Sequence, residues 1–144
     1  MHYMKINVEC ATLKDYPKFK ELHKRYLNAN ANHHENEKQE EAEFINYVER
    51  ESLLIAYVND IAIGYAMLNG YDDGSCEIHQ IFIAPEEQNN GYGKQLVDYI
   101  MEMAKQEGLK KLNVFCLDID ADRFWMLKCG FEADELGYLV REIK

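Results

Sequence analysis

Residues 77–96 read EIHQIFIAPEEQNNGYGKQL, and the stretch changes character halfway along. Glu77 to Ile83 is a strand-like run that breaks at Ala84-Pro85. Polar residues follow, then Gly91 and Gly93 one residue apart. From Gly91 onward Leu96, Val97, Ile100, Met103 and Ala104 fall at helical spacing, up to a stop at Gly108. A helix that starts so soon after a strand leaves its first N–H groups without internal partners, with the positive end of the dipole behind them. Glycines carry no Cβ to hold a ligand off those groups, so the turn can seat a phosphate or pyrophosphate. A purely structural turn is equally compatible with a lone G-x-G. The dinucleotide fingerprint would need a third glycine where Leu96 stands, and the G-K-[ST] of a P-loop is absent.

Outward from this stretch, the chain reads as alternating layers. "MKINVEC" alternates Ile6, Val8 and Cys10 with polar residues and predicts a first strand. "DYPKFKELHKRYL" predicts a helix with Asp15 as N-cap, Pro17 in the first turn, and Phe19, Leu22 and Tyr26 on one face. Residues 28–43 are polar and acidic and read as a loop entering a second helix that buries Phe44, Tyr47 and Val48. Two apolar runs flank Asn59-Asp60, the signature of an antiparallel hairpin, and "YDDGS" turns the chain into the strand of the opening stretch. "KKLNVFCL" predicts a further strand, "ADRFWMLKCG" a short helix and "GYLVREI" a last strand. The order is a mixed α/β layer fold with a central sheet of about six strands flanked by helices.

Length and composition bound the function. The 144 residues, 47% of them hydrophobic, are expected to form a single domain spanning 1–144 that needs no metal or disulfide for stability. Cys10, Cys76, Cys116 and Cys129 form no C-x-x-C pair, which fits buried thiols in a reduced compartment. "MHYMKINVEC" lacks the basic and apolar regions of a signal peptide, and no apolar run is long enough to span a membrane, so a cytoplasmic protein is expected. A net charge of −10 argues against a nucleic-acid partner. It suits a cationic small molecule or basic peptide, and equally suits mere solubility.

Gln88-x-x-Gly91-x-Gly93, after a strand and before a helix, resembles the [RQ]-x-x-G-x-[GA] signature of the GNAT N-acetyltransferases. The resemblance covers nearly the whole chain, since the element order is that family's order, and "FWMLKCGF" resembles its aromatic-rich helix ending in Gly130-Phe131. It implies a GNAT-like acyl-CoA N-acyltransferase fold and acetyl-CoA as cosubstrate. It further implies that Ile81, Phe82 and Ile83 offer backbone groups to the pantetheine arm and the acetyl carbonyl. Gln88, Asn89, Asn90, Gly91, Tyr92, Gly93 and Lys94 would wrap the pyrophosphate, mostly through backbone amides. A homodimer is compatible with the family.

Acetyl transfer to an amine needs a base, because a typical alkylamine is protonated at pH 7. In the branch resembling histone acetyltransferases the strand starts Glu-Ile and reaches E-Q-x-x-G-Y-G after the same number of residues. Glu77 therefore falls on that branch's catalytic glutamate. His79, two residues on and facing the same side of the strand, is the second candidate. The general acid is unidentified: the family's usual Tyr position is Met126, and Tyr138 is a possible substitute. Where family members carry an Asn after the penultimate strand, this chain has Asp118 and Asp120. Residues 35–43, with five glutamates, could attract a cationic acceptor such as a polyamine, an aminosugar, or a lysine or N-terminal amine. His33 and His34 beside Glu35 and Glu37 match no metal-binding motif, so no metal is expected. The rival class is a module that binds acetyl-CoA or CoA without catalysis; a structural domain with a vestigial turn is the third.

Overall fold

A computed structural model describes residues 4–29, 36–114, 128–135 and 138–143. The described strands follow the order β1-β2-β3-β4-β5-β7-β6 in a mixed sheet. The chain divides into two compact units, Met1–Met67 with Gln80–Gly93, and Leu68–His79 with Lys94–Lys144.

In the first unit, β1 (Asn7–Cys10) pairs antiparallel with β2 (Leu53–Val58), and β2 with β3 (Ile61–Gly70). All six residues of β2 are buried, so this strand is covered on both faces. Asn59 and Asp60 both take positive φ, 51° and 65°, the conformation that lets a two-residue hairpin match the strand twist. Helix α1 (Tyr16–Ala29) follows a 3-10 turn over Leu13–Asp15. Asp15 does not cap forward into α1 as expected. Its carboxylate turns back and accepts from the Thr12 N–H at 2.8 Å, capping the 3-10 turn instead. Pro17 sits in the first turn of α1, where its missing N–H costs nothing.

Helix α2 (Glu37–Glu49) begins earlier than the sequence suggested, because Asn36 accepts from the Gln39 N–H at 2.9 Å. Glu37 to Glu43 are thus helical rather than loop. Phe44 and Tyr47 are buried as expected, together with Glu40, while Val48 is half-buried. Phe19 of α1 stacks on Phe44 with ring centroids 5.2 Å apart, and meets Tyr65 of β3 edge-on at 5.1 Å. Each fully buried side chain of this kind contributes about 1.5–3 kcal/mol of transfer free energy.

In the second unit, residues 75–78 of β4 (Ser75–Ile83) pair in parallel with β5 (Lys111–Val114), and β5 pairs antiparallel with β7 (Leu139–Glu142). Helix α3 (Tyr92–Gln106) buries Leu96, Val97, Ile100 and Ala104 completely. It ends where expected: Gly108 takes φ 75°, and the Leu109 N–H reaches the Ala104 carbonyl at 3.0 Å. β6 (Glu132–Ala133) raises the described strands to seven, against about six expected. Two residues are too short to show alternation in sequence; pairing with β7 alone makes them a strand. Most of the expected short helix, and the end of the strand after Val114, lie outside the described residues.

Candidate active site

The glycine turn belongs to the first unit and is built mainly from backbone. At Gly64 on β3, β4 passes close by: a Cβ there would overlap the Phe82 carbonyl oxygen and come within 2.7 Å of Ile83 Cδ1. The Ala84 N–H then donates to the Ile63 carbonyl at 2.7 Å, and Pro85–Glu87 form a 3-10 turn. Gln88 reaches back, its Nε2 donating to the Ile83 carbonyl at 2.9 Å. Asn90 Nδ2 donates to the Glu87 carbonyl at 3.2 Å. These two side chains hold the loop to itself, so any anion contact from this segment falls to the backbone. Asn89 and Gly91 take φ of 67° and 76°, and a Cβ on Gly91 would point into open space. Gly91 is thus required by its backbone conformation, not by crowding.

Helix α3 begins immediately afterwards, with Tyr92 buried as an anchor and no acidic residue in the first turn. An N-terminus without its own carboxylate keeps its dipole and orphan N–H groups for an outside anion. Lys94 places its ammonium on Asp98, one turn on, at 2.7 Å. Of the strand residues Ile81 to Ile83, Phe82 and Ile83 are buried and Ile81 is half-buried. The Phe82 ring meets Tyr26 at 5.9 Å and Tyr65 at 6.0 Å. Arg25 pairs with Glu86 and fixes α1 to the 3-10 turn that enters the loop. That pairing lowers the Glu86 carboxyl below its ordinary value and raises the Arg25 guanidinium.

The base candidates lie in the second unit and form a side-chain cluster. Glu77 is 21% exposed and His79 44%, with His79 Nδ1 3.4 Å from Glu77 Oε1. Asn69 Nδ2 and Tyr71 Oη each stand 3.4 Å from a Glu77 oxygen. Sequence reading singled out Glu77 and His79 as candidates but not Asn69 and Tyr71, which contact Glu77. The signal was present in the hairpin: once Tyr71 N–H pairs with the Ser75 carbonyl at 3.0 Å, Asn69 and Glu77 lie equally far from the turn. Asp73 sets that turn, accepting from the Ser75 N–H at 2.9 Å and from its hydroxyl at 2.5 Å. These hydrogen bonds hold the Asp73 carboxyl below its ordinary value. A carboxylate with partial access to solvent, held by neutral donors, is able to accept a proton from an incoming amine.

Other residues singled out by sequence have different fates. Cys76 and Cys129 are buried, and burial pushes both thiols up to about 11, which makes them poor nucleophiles. Glu37 pairs with Lys20 at 2.5 Å. Glu40 is buried against His23, Nδ1 to Oε2 2.6 Å, and accepts from Tyr16 at 3.0 Å. Burial, then that hydrogen bond, pushes the Tyr16 phenol up to about 12. Part of the acidic stretch therefore binds α1 to α2 instead of facing a ligand. Tyr138 precedes β7, is 38% exposed, and gives its N–H to Asp134 at 2.9 Å. Cys116, Asp118, Asp120, Trp125, Met126, His33, His34 and Glu35 lie outside the described residues. Among the described residues no group of three His, Cys, Asp or Glu side chains could hold a metal ion. Nor is any described helix long and apolar enough to cross a membrane.

No curated protein matches the chain in sequence. Solved structures share its fold. A GNAT-family acetyltransferase from Staphylococcus aureus Mu50 has a TM-score of 0.82 at 19% identity, covering 96% of this chain and 99% of that one. An acetyltransferase from Thermus thermophilus gives 0.78 at 17% identity, with 99% of each chain covered. The PaiA N-acetyltransferase from Thermoplasma acidophilum, solved in complex with coenzyme A, gives 0.77 at 17% identity, covering 98% and 99%. The family model described as acetyltransferase (GNAT) family matches residues 16–131, and the chain belongs to that family.

Proposed function

We propose that the chain, acting as one domain, is an N-acetyltransferase that moves the acetyl group of acetyl-CoA directly to a primary amine. The observation that carries this reading is the turn before α3. Gly91 at φ 76° sits in open space, and the helix behind it has no acidic residue in its first turn. Such an N-terminus suits the pyrophosphate of acetyl-CoA, the donor GNAT enzymes use. The backbone amides of Asn89 to Lys94 receive the phosphates, and the strand from Ile81 to Ile83 receives the pantetheine arm.

Glu77 takes one proton from the acceptor ammonium, and His79 is the alternative. The amine lone pair then attacks the thioester carbonyl carbon. A C–N bond forms, the C–S bond breaks as the oxyanion collapses, and the second proton of the attacking nitrogen passes, directly or through water, to the leaving thiolate, while the proton taken by Glu77 goes to solvent. Backbone N–H groups aimed at the developing oxyanion are worth about 2.7–4 kcal/mol each in enzymes of this logic. The acceptor is a cationic amine, a preference supported by the net charge of −10.

The test is thermal. Acetyl-CoA at 100 times its dissociation constant adds about 2.7 kcal/mol, and the melting point of the wild-type chain should rise by several degrees. Gly91→Glu, with a carboxylate at the anion site and a strained φ, should melt without that rise. Thiol release across a panel of amines then separates an enzyme from a module that binds acetyl-CoA without turnover. Absence of any shift at saturating acetyl-CoA would sink the donor assignment.

A further inference from the structure

The second unit holds a buried polar atom that the reaction as described does not use. Asn113 lies on β5 in register with Glu77 on β4, and Val140 of β7 is its partner on the other side. Residues in register on neighbouring strands face the same side of the sheet, with backbones about 4.8 Å apart. Asn113 Oδ1 is shielded from solvent and has no hydrogen-bond partner among the described residues. Buried side-chain oxygens of this kind are rare, since leaving one unpaired costs about 1–3 kcal/mol. Each such atom calls for a reason.

We infer that Asn113 is part of the amine-binding site, its Oδ1 accepting one N–H of the same acceptor ammonium that Glu77 binds. The chemistry of the two groups selects the ligand. An ionised Glu77 and the Asn113 carbonyl oxygen are both acceptors, so neither can satisfy the other. A primary ammonium carries three N–H donors and can serve both at once. A hydroxyl has only one donor, and a quaternary ammonium has none. The Asn113 oxygen is withdrawn from water, which strengthens a hydrogen bond made to it. It also gives the nitrogen a fixed direction. With one N–H held by Asn113 and another proton given to Glu77, the lone pair left behind has a defined orientation. Asn113 thereby favours amines with at least two N–H donors, primary and secondary, over tertiary and quaternary ones.

The inference rests on the acetyltransfer reading for its amine, but it is tested by binding as well as by turnover. In uniformly 15N-labelled wild-type protein at pH 7, ethylamine should move the Asn113 side-chain amide signals, and tetramethylammonium should not. Equal movement with both cations would mean attraction to Glu77 charge alone, and no movement with ethylamine would remove the site; either overturns the proposal. A chain that shows the ethylamine shift but acetylates nothing would overturn the enzyme reading and leave the Asn113 site standing. Where turnover is measurable, Asn113→Leu should raise KM for the amine about tenfold and leave KM for acetyl-CoA unchanged. This variant should fold, because replacing an unpaired buried polar group by an apolar one of similar size is close to neutral. An unchanged amine KM in a folded Asn113→Leu protein would also overturn the assignment.

Discussion

The glycine turn and the Glu77 cluster are built by opposite means. Around Gly91 the groups proposed to bind the donor are peptide N–H groups, and the side chains of Gln88 and Asn90 hold the loop in shape. Around Glu77 the groups proposed for catalysis and their neighbours are side chains brought from separate segments: Asn69 and Tyr71 from one arm of a hairpin, Glu77 and His79 from the other. A site made of backbone tolerates change in most side chains but depends on the few that set φ and ψ. The opposite holds for a site made of side chains: it survives modest backbone shifts yet depends on the identity of each group.

The sharpest way to break this comparison is a pair of variants that should fail in different ways. Glu77→Gln keeps hydrogen-bonding atoms for Asn69 and Tyr71 but cannot take a proton. Its kcat should fall by about 10²–10⁴-fold, while the melting-point rise with acetyl-CoA stays intact. Gly91→Glu should lose that rise. If Glu77→Gln also lost acetyl-CoA binding, the two regions would not be separable functions. A smaller rate effect, about tenfold, is expected for His79→Gln, since geometry and charge beside Glu77 are altered but the base remains. A larger loss for His79→Gln than for Glu77→Gln would reverse the assignment of the base.

Next in size is a stability effect. Gly64→Ala places a methyl group against the Phe82 carbonyl oxygen, which is backbone and has little room to yield. A cost of about 1–3 kcal/mol is expected, read as a lower midpoint in urea. An unchanged midpoint would show that β4 can move away from β3 without penalty.

The smallest effect is a pH dependence in the hairpin that carries Asn69 and Tyr71. The Asp73 carboxyl lies below its ordinary value of 3.8, mainly because Ser75 donates to it through hydroxyl and N–H. A carboxyl lowered on folding adds stability that is present above the unfolded value and is lost as pH falls through the folded one. The stability gap between wild type and Asp73→Asn should therefore be constant from pH 5 to pH 7 and close below about pH 3.8. A gap that persisted unchanged at lower pH would show that the ionised form is not what holds the turn.

Much of the first region was legible because it is local. The break at Ala84-Pro85, the signature Gln88, Gly91 and Gly93, and the apolar face of α3 lie in one continuous stretch, and backbone conformation follows nearest neighbours. The role of Gln88 was not legible: that its amide holds the Ile83 carbonyl is a matter of where the loop folds back. The internal pairing within the acidic run was not legible for a related reason. Its composition suggested an outward charge, whereas α1 packing turns Glu40 inward onto His23 and Tyr16 and pairs Glu37 with Lys20.

By itself, then, the sequence determined the α/β layering, the α3 stop at Gly108, the hairpin at Asn59-Asp60 and the glycine turn before α3. These depend on periodicity and on φ, which a few adjacent residues set. Only the tertiary structure decided which residues of other segments lie beside Glu77, because Asn69 and Tyr71 reach it across the hairpin and Asn113 is its register partner on β5, whereas His79 follows from alternation along its own strand. Register is fixed by turn geometry and by the pairing of β4 with β5, and a slip of one residue would turn every one of these side chains to the other face.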